Sequence, residues 1–250
     1  MGCCESTEAY DNAVLVPAQQ PIVVINPKFA PTVSVTLHMK QNLWSCTGDD
    51  FTIKDVKSGT EYFKIKGDLL SATRAKTLVD FQGLPVALMQ EVVLPGGLRQ
   101  QKVFAPTIPP TPWFDITPKI TLFDCALDCV VVDCTTKLPH KLGIFGDWLS
   151  RKTVLTCDGA PIAKVLAGDS LLQDEYFVEV APGVDMALVV LVCMALEEAT
   201  EDREGEEVVG KAVGEAVVGF LVADAVEDAI EEAEEEDAES DGDDVNDDDD

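Results

Sequence analysis

Histidine, aromatic residues and positive charge are all scarce in this chain of 250 residues. The two histidines, His38 and His140, lie in no recognisable nucleophile or zinc motif. We therefore expect a protein that is not an enzyme, with no catalytic residue and no cofactor. Acidic residues number 46 against 18 basic ones, for a net charge of −28. Such a chain repels phosphate backbones, so no nucleic acid partner is expected.

The N-terminus also lacks the basic region and the long apolar region of a secretory signal peptide. We expect a reducing compartment, in which the eight cysteines form no disulfide framework. The cysteines beyond the first two are interpreted as small buried side chains: Cys46, Cys125, Cys129, Cys134, Cys157 and Cys193. Three of them, Cys125, Cys129 and Cys134, have only His140 nearby in the sequence, which gives weak support to a zinc site, and no bound metal is expected.

What the N-terminus does contain is an acylation motif. Removal of Met1 exposes Gly2, and Ser6 follows four positions later, as N-myristoylation requires. Cys3 and Cys4 are candidates for palmitoylation, and two or more acyl chains hold a protein stably on a membrane. The sequence therefore predicts a lipid anchor at the cytoplasmic face of a membrane, with the plasma membrane as the first expectation and the cytoplasm as the alternative.

Half of the acidic residues lie at the other end of the chain. Residues 201–250 hold 23 Asp and Glu residues against Arg203 and Lys211. Apolar residues at near-helical spacing predict a C-terminal helix over 204–232, although Gly210, Gly214 and Gly219 weaken it. Residues 233–250 are mostly Asp and Glu and are expected to be disordered. This acidic tail suits a basic protein partner or divalent cations.

Between these ends, prolines interrupt residues 8–32, and residues 1–32 are predicted to form an acylated arm or linker. A domain of short β-type runs is predicted over 33–203, because apolar and polar residues alternate between turn-forming residues. Twelve strands are predicted: Val33–Met39, Phe51–Asp55, Tyr62–Lys66, Lys76–Phe81, Pro85–Leu94, Arg99–Phe104, Asp115–Phe123, Val130–Thr135, Lys141–Phe145, Lys152–Cys157, Ile162–Ala167 and Glu175–Val180. So many short antiparallel strands indicate a closed barrel or a sandwich.

One segment breaks the β pattern. Val184 to Ala195 is almost wholly apolar, with Asp185 as its only charged residue, and Glu197 and Glu198 follow it. A helix that is apolar on all sides is buried or spans a membrane. This run is short for a bilayer, which needs about 20 apolar residues, so a helix that fills a barrel is favoured.

Several blocks of the chain resemble the plant LURP-one-related proteins. They are Gly67-Asp68-Leu69-Leu70-Ser71, Thr77 to Pro85, Asp158-Gly159, and Phe177-Val178-Glu179-Val180-Ala181-Pro182-Gly183-Val184-Asp185 with the apolar run after it. The resemblance covers about residues 20 to 203. It implies kinship with tubby C-terminal domains and phospholipid scramblases, and a mainly β, twelve-stranded tubby-like barrel closed around one hydrophobic helix. The Gly-Cys-Cys start and the acidic tail lie outside it.

Three functional hypotheses follow. The first is a non-catalytic, membrane-anchored scaffold or adaptor. The second, implied by the resemblance, is a phosphoinositide-binding or scramblase-like lipid-handling protein, with Lys54, Lys64, Lys66, Arg74 and Lys76 as headgroup candidates. A solvated strand face is the simpler explanation of these basic residues. The third is a membrane-tethered regulator of transcription, by analogy with tubby proteins, and fold analogy alone establishes none of the three.

Overall fold

The computed structural model describes residues 8–40, 51–67, 74–95, 98–106, 111–120, 125–168 and 175–200. All of them belong to a compact unit that spans Met1–Glu201. The acylation residues Gly2, Cys3 and Cys4 lie outside the described residues, as does Cys46. The predicted C-terminal helix at 204–232 and the predicted acidic tail at 233–250 also lie outside them.

Twelve antiparallel strands of the described residues form a closed barrel, in which every strand pairs with its neighbours in the chain and β1 pairs with both β2 and β12. The strands are β1 (Val35–Lys40), β2 (Phe51–Asp55), β3 (Glu61–Gly67), β4 (Lys76–Asp80), β5 (Pro85–Val93), β6 (Arg99–Phe104), β7 (Phe114–Ile120), β8 (Cys125–Val132), β9 (Pro139–Asp147), β10 (Lys152–Cys157), β11 (Ala160–Ala167) and β12 (Glu175–Val180). The predicted twelve-stranded barrel is confirmed, and closure leaves none of these strands at an unpaired edge.

A central helix over residues 186–200 fills the barrel, as predicted from its apolar sequence. Met186 to Leu196 are all at most 1% exposed and belong to one core cluster with the inward side chains of the strands. The alternation in β3 shows the pattern, because Phe63 and Ile65 point inward while Lys64 and Lys66 point outward. Burial of the helix surface on all sides explains why its sequence carries no polar stripe.

The eighth strand differs from its prediction. It was predicted at Val130–Thr135, whereas the structure begins it at Cys125 and ends it at Val132. Burial alternates strictly along the strand, and Asp128 occupies an outward position where a charge is tolerated. Asp133 ends the strand because its carboxylate accepts hydrogen bonds from the backbone N–H groups of Thr135 and Thr136, which forms a turn.

The segment predicted as an arm or linker packs on the barrel over much of its described length. Residues 8–12 form a short helix, ahead of the first proline, and Pro27–Phe29 form a 3₁₀ turn. Val23, Val24 and Phe29 are buried. We call residues 13–34 the arm, and the end of the barrel where residues 22–34 lie the arm end. The strand directions place the turns at 81–84, 133–138 and 158–159 at this same end.

Candidate functional site

The five headgroup candidates divide between the outside and the inside of the barrel. Lys54, Lys64 and Lys66 lie on the outer surface of β2 and β3, and we call them the lysine face. None of the three forms an ion pair with another described residue. Lys76 instead points inward, because its register partner is Gly67, on the same side of the sheet as Ile65 and Leu78.

Lys76 does not fit its prediction as a headgroup contact, because it is paired inside the protein. Its side chain is 8% exposed and forms an ion pair with Glu198 of the central helix. Arg74 is half exposed and lies 3.6 Å from Glu91 and 3.9 Å from Glu198, while Arg99 contacts Glu91 at 2.6 Å. These basic residues therefore neutralise buried carboxylates at the end of the barrel opposite the arm end.

A second buried ion pair lies at the same end. The Arg151 guanidinium contacts both carboxylate oxygens of Glu197, at 2.7 and 3.1 Å, and stacks on Trp148 and Tyr176. Burial and the adjacent Glu197 carboxylate raise the pKa of Tyr176 well above its usual value. Tyr176 stays protonated and Arg151 is already paired, so this cluster fixes the helix in the barrel and offers no reactive group.

Two aspartates bind the backbone of the arm at the arm end. Oδ2 of Asp185 accepts hydrogen bonds from the N–H groups of Val24, Ile25 and Asn26, at 2.7–3.1 Å. Its Oδ1 accepts from the N–H of Ala187 and caps the central helix. Oδ2 of Asp133 accepts from the N–H of Val23 at 2.7 Å. Neither role was predicted from the sequence, although a single aspartate ahead of an apolar helix is a helix-cap signal.

Residues 8–12, at the start of the described chain, are also attached to the barrel. The Tyr10 hydroxyl donates a hydrogen bond to the backbone oxygen of Val165 in β11 at 2.9 Å. The Lys164 ammonium lies 4.3 Å from the centre of the Tyr10 ring, on the outer surface of that strand. Burial, with a smaller contribution from Asp11, raises the pKa of Tyr10. Residues 8–12 are thus attached to the barrel wall.

The structure brings together three residues that the sequence analysis did not connect. His140, Cys157 and Asp158 place their ligand-type atoms within 4.8 Å of one another, with His140 Nδ1 2.7 Å from Asp158 Oδ2. The set resembles a thiol–imidazole–carboxylate triad. Burial and the neighbouring Asp158 raise the pKa of Cys157 to about 11, so the thiol carries its proton at neutral pH and is a poor nucleophile.

The remaining described cysteines match the prediction of small buried side chains except at Cys134. Among the described residues, the group of potential metal ligands around His140 does not include Cys125, Cys129 or Cys134. None of the five described cysteines forms a disulfide; Cys134 is half-buried on the turn after β8, and the other four are buried: Cys125, Cys129, Cys157 and Cys193. Burial, followed by the nearby Asp128 and Asp115, raises the pKa of Cys129 to about 12. Cys129 and Cys193 thus lie in the interior as small side chains, while the Cys125 thiol also donates a hydrogen bond to the Gly146 backbone oxygen at 3.3 Å.

One small void lies in the described interior. Between the central helix and the wall of β8 to β11 lies a void of about 10 Å³, lined mainly by apolar side chains such as Leu127, Leu155 and Leu188. A space of that size holds about one water molecule. Within the part of the chain that the structure describes, no helix is long and apolar enough to cross a membrane.

Comparison with known proteins agrees with this architecture. The LURP-one-related family pattern matches residues 35–197. Protein LURP-one-related 15 of Arabidopsis thaliana is 23% identical over 205 residues, which cover 72% of this chain and 88% of that protein. The X-ray structure of an Arabidopsis thaliana protein is similar with a TM-score of 0.53 and 21% identity, over 71% of this chain and 99% of that chain. At this identity the structural likeness shows the fold alone.

The family match begins at the first strand and ends in the central helix, so it includes the whole barrel and most of the segment that fills it. It spans more than half of the chain, and the curated relative matches across most of its own length. This chain therefore belongs to the LURP-one-related family.

Proposed function

We propose that this protein is a non-catalytic scaffold or adaptor held on the cytoplasmic face of a membrane, most simply the plasma membrane, by acyl chains on Gly2, Cys3 and Cys4. The observation that carries the proposal is the filled interior, in which Met186 to Leu196 are at most 1% exposed. A barrel whose interior is occupied by its own helix acts through its outer surface. That surface is suited to binding partners, while the N-terminus determines where binding takes place.

The attachment of residues 8–12 to the barrel wall supports a short tether. Glu8 is the first described residue, and Tyr10 is bound to β11 two residues later. The chain from Gly2 to Glu8 has a reach of at most about 22 Å. Acyl chains at the N-terminus would thus hold the barrel itself close to the bilayer. The acidic residues beyond 200 then supply negative charge for a basic protein partner.

Acylation is tested by expressing the full chain in a eukaryotic cell and comparing it with Gly2→Ala and with Cys3→Ser/Cys4→Ser. We expect acyl mass on the wild type by intact mass spectrometry, and recovery with the membrane fraction. Gly2→Ala should lose both acyl mass and membrane association, because the first chain brings the thiols to the bilayer. Cys3→Ser/Cys4→Ser should keep the myristoyl mass and bind weakly. An unmodified, soluble wild type would refute the anchoring proposal.

A second candidate, binding of phosphoinositide headgroups, is favoured by the lysine face. Lys64 and Lys66 are two residues apart on β3 and point outward together, so both ammonium groups can contact one phosphate cluster. Lys54 is paired in register with Glu61, which makes its contribution smaller. β3 lies four strands from β11 around the barrel, roughly 19 Å along the sheet. The tether is therefore long enough for the lysine face to reach the same bilayer.

This candidate is tested with the full-length chain purified without acylation. Sedimentation is measured with phosphatidylcholine vesicles, with and without a phosphoinositide. If the lysine face binds headgroups, Lys64→Ala/Lys66→Ala should reduce the bound fraction several-fold. The matched control is Lys119→Ala/Lys152→Ala, which removes two exposed lysines from β7 and β10. Equal loss in both variants, or no binding by the wild type, would favour the scaffold without lipid recognition.

A further inference from the structure

His140, Cys157 and Asp158 meet at the arm end of the barrel. Each offers one ligand-type atom: an imidazole nitrogen, a thiol sulfur and a carboxylate oxygen. The three atoms lie within 4.8 Å of one another, and none of them belongs to the features proposed for anchoring or headgroup binding. The side chains of His140 and Asp158 are 21% and 54% exposed, so an ion in solution can reach them.

The barrel itself brings these residues together. His140 is paired in register with the inward-facing Val131, and Cys157 is paired with the inward-facing Leu142. Both side chains therefore point into the mouth of the barrel from adjacent strands. Asp158 follows at the turn between β10 and β11, where its backbone adopts a φ of 50°. The next residue, a glycine, completes that turn with a φ of 84°.

The Asp158 carboxylate is already oriented. Its Oδ1 accepts a hydrogen bond from the N–H of Lys141 at 2.8 Å, and its Oδ2 lies 2.7 Å from His140 Nδ1. A carboxylate held by the Lys141 N–H, next to an imidazole and a thiol, places three potential ligands side by side.

We propose that His140, Cys157 and Asp158 form a zinc site with three protein ligands and a fourth position open to water. Nitrogen, sulfur and oxygen donors together suit Zn²⁺ better than Mg²⁺ or Ca²⁺, which prefer oxygen alone. Around a tetrahedral zinc ion the ligand atoms lie roughly 3.3–3.8 Å apart, given bond lengths of about 2.0–2.3 Å. The observed atoms lie within 4.8 Å of one another, and the 2.7 Å hydrogen bond between His140 Nδ1 and Asp158 Oδ2 would be replaced by bonds to the ion.

Binding requires a proton to leave. The Cys157 thiol gives its proton to solvent as sulfur bonds to the ion, and no electron is transferred. His140 binds as the neutral imidazole, with its remaining proton on the nitrogen that does not face the ion. The completed site would join the start of β9 to the turn after β10.

The test uses Co²⁺, which replaces Zn²⁺ and gives a thiolate-to-metal charge-transfer absorption band when it binds sulfur. The parent is the full-length chain with Cys3→Ser, Cys4→Ser and Cys46→Ser, purified free of metal. These changes remove thiols that lie outside the described residues. The acidic C-terminal region attracts cations through oxygen, which gives no thiolate band. We expect one equivalent of Co²⁺ to produce the band in the parent, and Zn²⁺ to remove it by displacement.

Two variants and a matched control assign the ligands. Cys157→Ser should abolish the band, whereas Cys129→Ser, which changes another buried barrel cysteine, should leave it unchanged. His140→Gln keeps the thiol and should weaken Zn²⁺ binding more than about tenfold in competition with a chromophoric chelator. Because His140 lies at the mouth of the barrel, this variant decides the question even if Cys157→Ser does not fold.

Each outcome of these experiments either supports the zinc site or overturns it. A band that disappears only with Cys157→Ser, together with weaker binding by His140→Gln, supports the site. A band that persists in Cys157→Ser, the absence of a band in the parent at saturating Co²⁺, or unchanged Zn²⁺ affinity in His140→Gln overturns it. None of these outcomes depends on acylation or on vesicle binding, so the zinc site and the proposed function fail independently.

Discussion

Oδ2 of Asp185, the residue that caps the central helix, accepts a hydrogen bond from the backbone N–H of Ile25 at 2.7 Å. The two residues are 160 positions apart in the chain. The same carboxylate also binds the N–H groups of Val24 and Asn26. One side chain thus starts the helix that fills the barrel and holds the arm against it.

Replacement of Asp185 should destabilise the barrel. Asp185→Ala removes a helix cap and leaves three N–H groups of the arm without their acceptor, so we expect a loss of about 3 kcal/mol in the free energy of unfolding. Urea denaturation followed by circular dichroism measures this loss. Asp128→Ala, which removes an outward carboxylate on β8, should change stability by less than about 0.5 kcal/mol. Equal urea midpoints for the two variants would contradict the role of Asp185 as helix cap and acceptor for the arm.

Asp133 should make stability depend on pH. Burial opposes ionisation of this carboxyl group, yet hydrogen bonds from the N–H groups of Thr136, Val23 and Thr135 lower its pKa overall. Because the folded-state pKa lies below the unfolded one, the stabilisation is present at neutral pH. It is lost as pH falls through the folded-state pKa.

Asp133→Asn tests this dependence. An asparagine has one acceptor oxygen, so it cannot accept hydrogen bonds both from the Val23 N–H and from the N–H groups of Thr135 and Thr136. The variant protein should therefore be less stable than the wild type by about 1–3 kcal/mol at pH 7. The difference between the two proteins should shrink as the pH is lowered from neutral towards about 3, in urea titrations at each pH. Comparison of the two proteins cancels the titration of the other carboxylates. A difference that is constant with pH would show that Asp133 is not ionised in the folded protein.

The buried pair of Arg151 and Glu197 should show strong coupling. Arg151→Met leaves the Glu197 carboxylate without its guanidinium in the core, at an expected cost of about 3–5 kcal/mol. Glu197→Gln in the same background should recover much of that loss, because no buried charge then remains uncompensated. A double-mutant cycle from urea denaturation measures the coupling. Additive effects of the two substitutions would contradict the assigned pairing.

Gly146 is a position where a side chain cannot be accommodated. Its φ is 102°, and an added Cβ would collide with the Lys152 carbonyl oxygen on the neighbouring strand. Gly146→Ala should therefore cost about 2–4 kcal/mol, measured by thermal or urea denaturation. Gly67→Ala is the control, because no described atom lies within 4 Å of its added Cβ and its φ is not positive. A neutral Gly146→Ala would show that the β9–β10 pairing adjusts easily.

Local pattern was sufficient to predict most of the strands, whereas their closure into a barrel and not a sandwich was implied by the family resemblance. In segments such as Glu61–Gly67, apolar and polar residues alternate, which places the apolar side chains on one side of the strand and the polar ones on the other. Turn residues mark where the strands end. The run from Met186 to Ala195 is apolar on every side, which indicates a buried helix. The same local pattern placed the start of β8 five residues too late, because Asp128 resembles a turn residue until its outward position is known.

The composition of the candidate sites depended on contacts between distant residues. Lys66 and Lys76 look equivalent in sequence, but register places one outside the barrel and the other against Glu198. His140 meets Cys157 because β9 and β10 are neighbours, and the arm is held by aspartates more than 100 positions away. Alternation and turn signals are properties of a few adjacent residues and can be recognised in the chain alone. Ion pairs and donor clusters are set by strand register and barrel closure, which exist only once the chain has folded.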